Sequence, residues 1–286
     1  MCILLNKDKI LEVGKNVERE VYNVRINAAG FRYVTKESAA SDRLNLSDGN
    51  SKTGPALTFS LPIEYTCDHR CECFKNGICY GHGGCYIHGS NQVLYTENLN
   101  FFNAQPSPVF VAAVSLAIAV SGCSIFRWFG IGDLPCARFL ACMVEIANQN
   151  PGVRFWAYTK KYNIVNKYIE ENGTLPENLV VIFSHWLNED GSYFPMENPH
   201  KQPTSEFIPL GQEDKAETVT HICPCSDPDS TAHCSNCPFP CYTLKAGQSM
   251  ALLEHSTKRT KGRDKELKEA KAKKNSVVCP PEWFTK

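Results

Sequence analysis

The stretch Ile125-Phe126-Arg127-Trp128-Phe129-Gly130-Ile131-Gly132-Asp133 decides how this chain folds. The short apolar run Ile125–Phe129 breaks off in a glycine turn closed by an acid. Pro135–Asn148 then sets Phe139, Leu140, Met143, Val144 and Ala147 on one helical face. The pattern repeats downstream. Val153–Tyr158 reads as a strand and Lys161–Asn172 as a helix with Ile164, Val165, Tyr168 and Ile169 inward. Gly173 stops that helix, and Leu179–Phe183 is the next strand. Continuously apolar strands alternating with amphipathic helices predict a parallel sheet with helices outside. A barrel and an open doubly wound sheet both satisfy that pattern, and both place working residues at the C-terminal ends of strands.

Upstream, Ala56–Pro62 reads as an earlier strand that delivers a cysteine cluster. Val109–Val120 is too short an apolar run to span a membrane, which needs about 20 residues. It is expected to be a buried core helix capped by Ser107 and Pro108. Val21–Ile26 reads as a strand and Ser47–Ser51 as a loop. The expected organisation is an N-terminal extension over 1–50, a barrel-like domain over 51–256 and a basic tail over 257–286. The segment Lys258–Lys274 holds nine basic and three acidic residues, which suits a solvated helix or tail.

The chain has 286 residues, 43% of them hydrophobic, and 30 Lys+Arg balance 30 Asp+Glu. It can therefore bury a substantial core, and its net charge favours neither nucleic acid nor acidic membrane. Met1–Glu12 carries Lys7, Asp8 and Lys9 and lacks the apolar run of a secretory signal. The reading is a cytoplasmic protein with reduced thiols and no membrane contact.

Fifteen cysteines are the main chemical clue. Cys67, Cys71, Cys73, Cys79 and Cys85 lie on the loop after the Ala56–Pro62 strand. Cys223, Cys225, Cys234, Cys237 and Cys241 form a second group. Soft thiolates at such density suit zinc or an iron–sulfur cluster, because four sulfurs must converge on one zinc or supply one ligand to each iron. Only Cys234-x2-Cys237 has the pairing usual in zinc knuckles, so the irregular spacings favour iron–sulfur, with zinc the alternative. Cys123, Cys136 and Cys142 read as small buried hydrophobes. His69, His82, His88, His221 and His233 neighbour the clusters and read as bystanders. No Walker lysine loop, G-x-S-x-G elbow or H-E-x-x-H pair is present.

Several strings together resemble the phage and bacterial family known as gene product 88. They are Thr53–Pro62, Cys85-Tyr86, Phe126-Arg127 with Gly132-Asp133, Phe155–Lys160, and the cysteine-rich segment leading to Glu254-His255. The resemblance implies a further likeness to radical S-adenosylmethionine enzymes: a partial or complete (β/α) barrel with Cys-rich loops and 4Fe–4S clusters. Such enzymes hold a cubane through C-x3-C-x2-C and leave one iron to chelate S-adenosylmethionine. Cys67-x3-Cys71 matches the first half. The third position falls on Phe74, so Cys73, Cys79 and Cys85 all stay candidates.

By the same likeness, Gly130, Gly132 and Asp133 would hold the cofactor ammonium. Ser184 would line the pocket, and Tyr158 and Lys160 are the catalytic candidates at a strand end, with His185 behind them. The implied partners are a small-molecule or macromolecular substrate and an electron donor. Two rival readings remain: a zinc-stabilised module holding nucleic acid through Lys258–Lys274, and an iron–sulfur electron carrier or scaffold without a substrate.

Overall fold

The computed structural model describes residues 2–3, 21–27, 30–35, 43–50, 52–75, 79–186, 188, 190–208, 219–226 and 230–253. The basic run Lys258–Lys274 and the side chain of Cys85 lie outside them. Eleven strands form one sheet in the order β1-β2-β3-β4-β5-β6-β7-β8-β9-β11-β10. The strands are β1 (Cys2–Ile3), β2 (Val21–Asn27), β3 (Gly30–Thr35), β4 (Arg43–Ser47), β5 (Leu57–Phe59), β6 (Ile125–Arg127), β7 (Arg154–Thr159), β8 (Leu179–Trp186), β9 (Thr204–Ile208), β10 (His221–Ile222) and β11 (Ser249–Leu253). Pairing from β1 to β5 is antiparallel and from β5 onward parallel.

The sheet is open, with β1 and β10 at its edges, so the architecture is a mixed α/β sheet and not a closed barrel. The segment 1–50, expected to be an extension, contributes β1–β4 to the same sheet.

Six α-helices lie among the described residues: α1 (Ile63–Thr66), α2 (Glu72–Lys75), α3 (Gly89–Ala104), α4 (Ser107–Ser121), α5 (Ala137–Gln149) and α6 (Tyr162–Asn172). Strand residues of one parity, such as Leu57, Phe59, Phe126, Phe155, Ala157, Val181 and Phe183, join the long helices in the main core. Residues of the other parity, including Ala56, Ile125, Trp156 and Ile182, pack instead with Cys241, Leu244 and Met250. The helices therefore cover one face of the parallel region, and a cysteine-rich segment covers the other.

Phe139 of α5 is the hub of the helical side. Its ring centroid lies 4.7 Å from Phe102, 5.3 Å from Phe110, 5.6 Å from Trp128 and 5.7 Å from Phe59. Removing such a ring from a packed core costs about 3–5 kcal/mol. α4 is buried along Val109–Ile118, as expected of a core helix. Its cap differs from expectation: Pro106 occupies that position with no side-chain bond, and Ser107 and Pro108 lie inside the first turn, where proline's missing N–H costs nothing. No described helix is long and apolar enough to cross a membrane.

Two buried amides lock the helices to the sheet. Asn98 of α3 donates to Asn45 O and Ser60 O, both at 2.9 Å, and its Oδ1 accepts from Asn45 N at 2.6 Å. Asn178 donates to Ala147 O at 2.9 Å and to Val153 O at 3.1 Å, tying α5 to the start of β7. Asn98→Ala removes three buried hydrogen bonds to the backbone. It should lower stability by about 2–4 kcal/mol with an unchanged denaturant slope. An unchanged urea midpoint would contradict this packing of α3.

Candidate functional site

The loop that leaves β5 reaches the first cysteine group through α1. Cys67 N caps that helix by donating to Ile63 O at 3.1 Å. Cys71 N then donates to Asp68 O at 3.3 Å, and Cys79 N to Cys73 O at 3.1 Å. Arg70 Nη2 clamps Asp68 Oδ2 at 2.6 Å. Burial opposes ionisation of Asp68, but the Arg70 hydrogen bonds and charge outweigh it and hold the carboxyl below its usual range. The four described thiols of this loop thus sit on a backbone fixed by its own hydrogen bonds.

The glycine turn after β6 supports that loop. Leu61 N donates to Ile131 O at 2.9 Å, and Gly130 N to Phe59 O at 3.0 Å. A Cβ on Gly130 would lie 2.5 Å from Thr58 Cγ2, and one on Gly132 would lie 2.5 Å from Leu61 O. Gly132 also has φ +86°, the left-handed region that favours glycine. Gly132 is thus required by the close approach of two backbones, and Gly130 by the Thr58 and Ser60 side chains packed against it.

Asp133 closes the turn. Its Oδ1 accepts from Thr159 Oγ1 and from Leu134 N, both at 2.6 Å, and its Oδ2 accepts from Lys160 N at 2.9 Å. Asp133 N donates to Thr66 Oγ1 at 3.1 Å, next to Cys67. Burial raises the Asp133 pKa, although these donors and the neighbouring lysines pull it down. Both carboxylate oxygens are engaged within the protein, so Asp133 acts here as a clamp between the ends of β6 and β7.

The clamp turns Lys160 over the first cysteine group. Lys160 Nζ donates to Ser184 Oγ at 3.0 Å and stands 5.0 Å from the centroid of the Trp186 ring. Burial alone would lower its pKa, but Cys73, Cys71 and Asp133 together raise it above the ordinary lysine range. The interaction between the two thiols, opposed by burial and aided by Lys160, lowers Cys73 to about 7, while the same interaction and burial raise Cys71 against the pull of Lys160. Burial, then Asp133 and the other thiols, raise Cys67 well above the usual thiol range.

The second group occupies the face without helices. Cys223 N donates to Ala251 O at 2.8 Å, and Cys234 N to Lys52 O at 3.1 Å, which anchors the segment at both ends of the parallel region. Tyr158 Oη donates to Cys241 Sγ at 2.9 Å, and Trp156 packs on Tyr242 at 5.5 Å. Burial, then Cys223 and Cys234, push Cys225 up to about 12. Burial, with Cys234 and Cys223 adding to it against the Tyr158 hydrogen bond, pushes Cys241 up to about 12. Burial also raises Cys234, against the pull of Arg127. Burial and neighbouring thiols thus both oppose ionisation of Cys225, Cys234, Cys237 and Cys241.

Tyr158 and Lys160, paired as catalytic candidates by sequence, belong to different groups. β7 ends at Thr159, and Asp133 redirects the next residue, so the parity that would keep 158 and 160 on one face is broken. Lys160, Ser184, Asp133 and the first cysteines come together, whereas Tyr158 joins the second group. Among the bystander histidines, His69 stacks on Phe74 at 4.0 Å, His221 on Phe239 at 4.2 Å, and His233 Nδ1 bonds Ser235 Oγ at 2.6 Å. Thr66, Tyr80 and Arg127 are additions from the structure. Arg127 had one signal, a charge inside an apolar strand, and Tyr80 had none.

The family model of gene product 88 matches residues 32–275. The chain belongs to the gene product 88 family. The gene product 88 match spans both cysteine groups, the glycine turn and Lys160. No curated protein and no solved structure matches the chain. Among the described residues, no three His, Cys, Asp or Glu side chains are placed to ligate a single ion in the present geometry.

Gly122 supplies a control for the glycine turn, because it is left-handed at φ +64° and ψ 21° but has nothing within 4 Å of a built Cβ. Gly122→Ala should cost about 1–2 kcal/mol from backbone strain alone. Gly132→Ala adds a collision with Leu61 O and should cost clearly more in denaturant unfolding. Equal losses would contradict the close approach of the glycine turn to the cysteine loop.

Proposed function

We propose that this gene product 88 protein is an iron–sulfur protein of redox or radical S-adenosylmethionine type. In this reading Cys67 and Cys71, with Cys73, Cys79 or Cys85, hold one cluster, and Cys223, Cys225, Cys234, Cys237 and Cys241 supply the ligands of a second. The observation that carries the reading is the placement of two cysteine-rich segments against one parallel region, one at its C-terminal edge and one on its helix-free face. Helices on a single face are also what a partial barrel has, with its concave side free to hold chemistry.

The donor sets fit such a group chemically. The raised thiols of the second segment are kept protonated by burial and by one another, and a bound cation supplies the compensating charge they lack. A bound iron–sulfur cluster would supply one-electron transfer, and one held by three cysteines would also offer an open iron for S-adenosylmethionine.

The chain's own residues then have definite tasks. Lys160 places a positive charge beside Cys71 and Cys73, favouring their thiolates. Ser184 holds the Lys160 ammonium at 3.0 Å, and Asp133 fixes the Lys160 backbone. Tyr158 donates to Cys241 sulfur, a bond that strengthens when that sulfur is a thiolate ligand. Asp133 contributes here as a positioning residue, with Gly130 and Gly132 admitting the cysteine loop.

The full chain purified without oxygen should be brown and carry about four irons and four sulfides per cluster. Cys71→Ala should lose the iron of one site, and Cys237→Ala that of the other, with losses that add in the double variant. Zinc at both sites in a colourless protein would overturn the iron reading and favour a structural module.

A further inference from the structure

Arg127 projects from β6 onto the helix-free face, paired in register with Thr58 of β5 and Trp156 of β7. It is a cation in the middle of the sheet, and no carboxylate pairs with it among the described residues. A guanidinium has five N–H donors. Among the described residues, Arg127 makes one hydrogen bond, a long one of 3.4 Å from Nη2 to Tyr80 Oη. Its buried Nε has no partner there. Its central carbon lies 5.8 Å from the centroid of the Tyr158 ring.

Two tyrosines, Tyr80 and Tyr158, stand beside Arg127. Tyr80 Oη donates to Gly130 O at 3.0 Å, and the Tyr80 ring meets Tyr86 at 5.4 Å. Tyr80 is 48% exposed, so solvent reaches this edge of the group. The group combines an under-satisfied guanidinium, two phenol rings and the glycine turn. Arg127 is half-buried with a buried, unpartnered Nε, which is costly, and natural proteins pair such groups or give them a ligand.

We infer that Arg127, with Tyr80 and Tyr158 beside it, forms an anion-recognition subsite for a small molecule bearing a carboxylate or a phosphate. The flat fork of a guanidinium accepts either group through two parallel hydrogen bonds. The aromatic walls fit an apolar or planar body attached to that anionic head. The subsite borders both cysteine groups, because Tyr158 donates to Cys241 Sγ and Tyr80 follows Cys79 in the chain. It goes beyond the iron–sulfur reading and stands whether or not the sulfurs hold iron.

The test is calorimetric titration of the full chain, purified without oxygen, with inorganic phosphate in one arm and succinate in the other. Saturable binding of either is expected, and the arm that binds tells phosphate from carboxylate recognition. Arg127→Gln should weaken it at least tenfold, Arg127→Lys by less, and Tyr80→Phe by a few fold. Mapping phenylglyoxal labelling of Arg127 in the wild-type chain needs no variant to fold, and the bound anion should protect that residue. No saturable binding in either arm, binding unchanged in Arg127→Gln, or labelling indifferent to the anion would each overturn the subsite. Metal analysis of the same sample separates the two claims, because anion binding without iron sinks only the cluster reading.

Discussion

The carboxylate of Asp133 is the joint on which the C-terminal edge of the sheet depends. It is buried, and it receives the Thr159 hydroxyl and the Leu134 and Lys160 amides, while its own amide reaches Thr66 beside the first ligand candidate. A buried carboxylate is tolerated only when its oxygens are satisfied, and here the satisfying groups come from the β6 and β7 ends. The same bonds that make the charge affordable therefore fix the relative positions of the loops after β5, β6 and β7. Without that joint, neither Lys160 nor Cys67 has a defined place.

Strand parity then divides the chemistry. One face feeds an aromatic core against four long helices, which makes it rigid and dry. The other face carries Trp156, Ile182 and Met250 beneath a segment with almost no regular structure, held by a few backbone bonds and by sulfur. Such a cover has little apolar area of its own, so its ordering asks for another source of free energy. A metal bound by several thiolates is a sufficient one. Each sulfur group also has one enclosed cation at hand, Lys160 for the first and Arg127 for the second, which separates the two electrostatically.

The parallel half of the fold was legible because its signals are local. Ile125–Phe129, Val153–Tyr158 and Leu179–Phe183 became β6, β7 and β8, and the helices between them fell within a residue or two of the periodic runs. The N-terminal half was less legible. α3 carries Val93 56% exposed alongside buried Leu99, Phe101 and Phe102, so its apolar residues do not trace one clean stripe. Strands β9 and β11 take their places by distant pairing, Thr204 with Ser249, which periodicity does not encode. The cysteine groups could be read from their density, and the glycine turn from its composition. The parting of Tyr158 from Lys160 could not, because it depends on a hydrogen bond between residues 27 apart in sequence.

The central claim is that two sets of thiols on one sheet exist to hold iron and sulfide. Iron K-edge X-ray absorption on the full chain, purified and measured without oxygen, tests it most directly. The account predicts a first shell of sulfur alone, with iron–iron scattering behind it. Iron bound mainly by oxygen or nitrogen, or no iron edge with zinc in an all-sulfur shell, would contradict it.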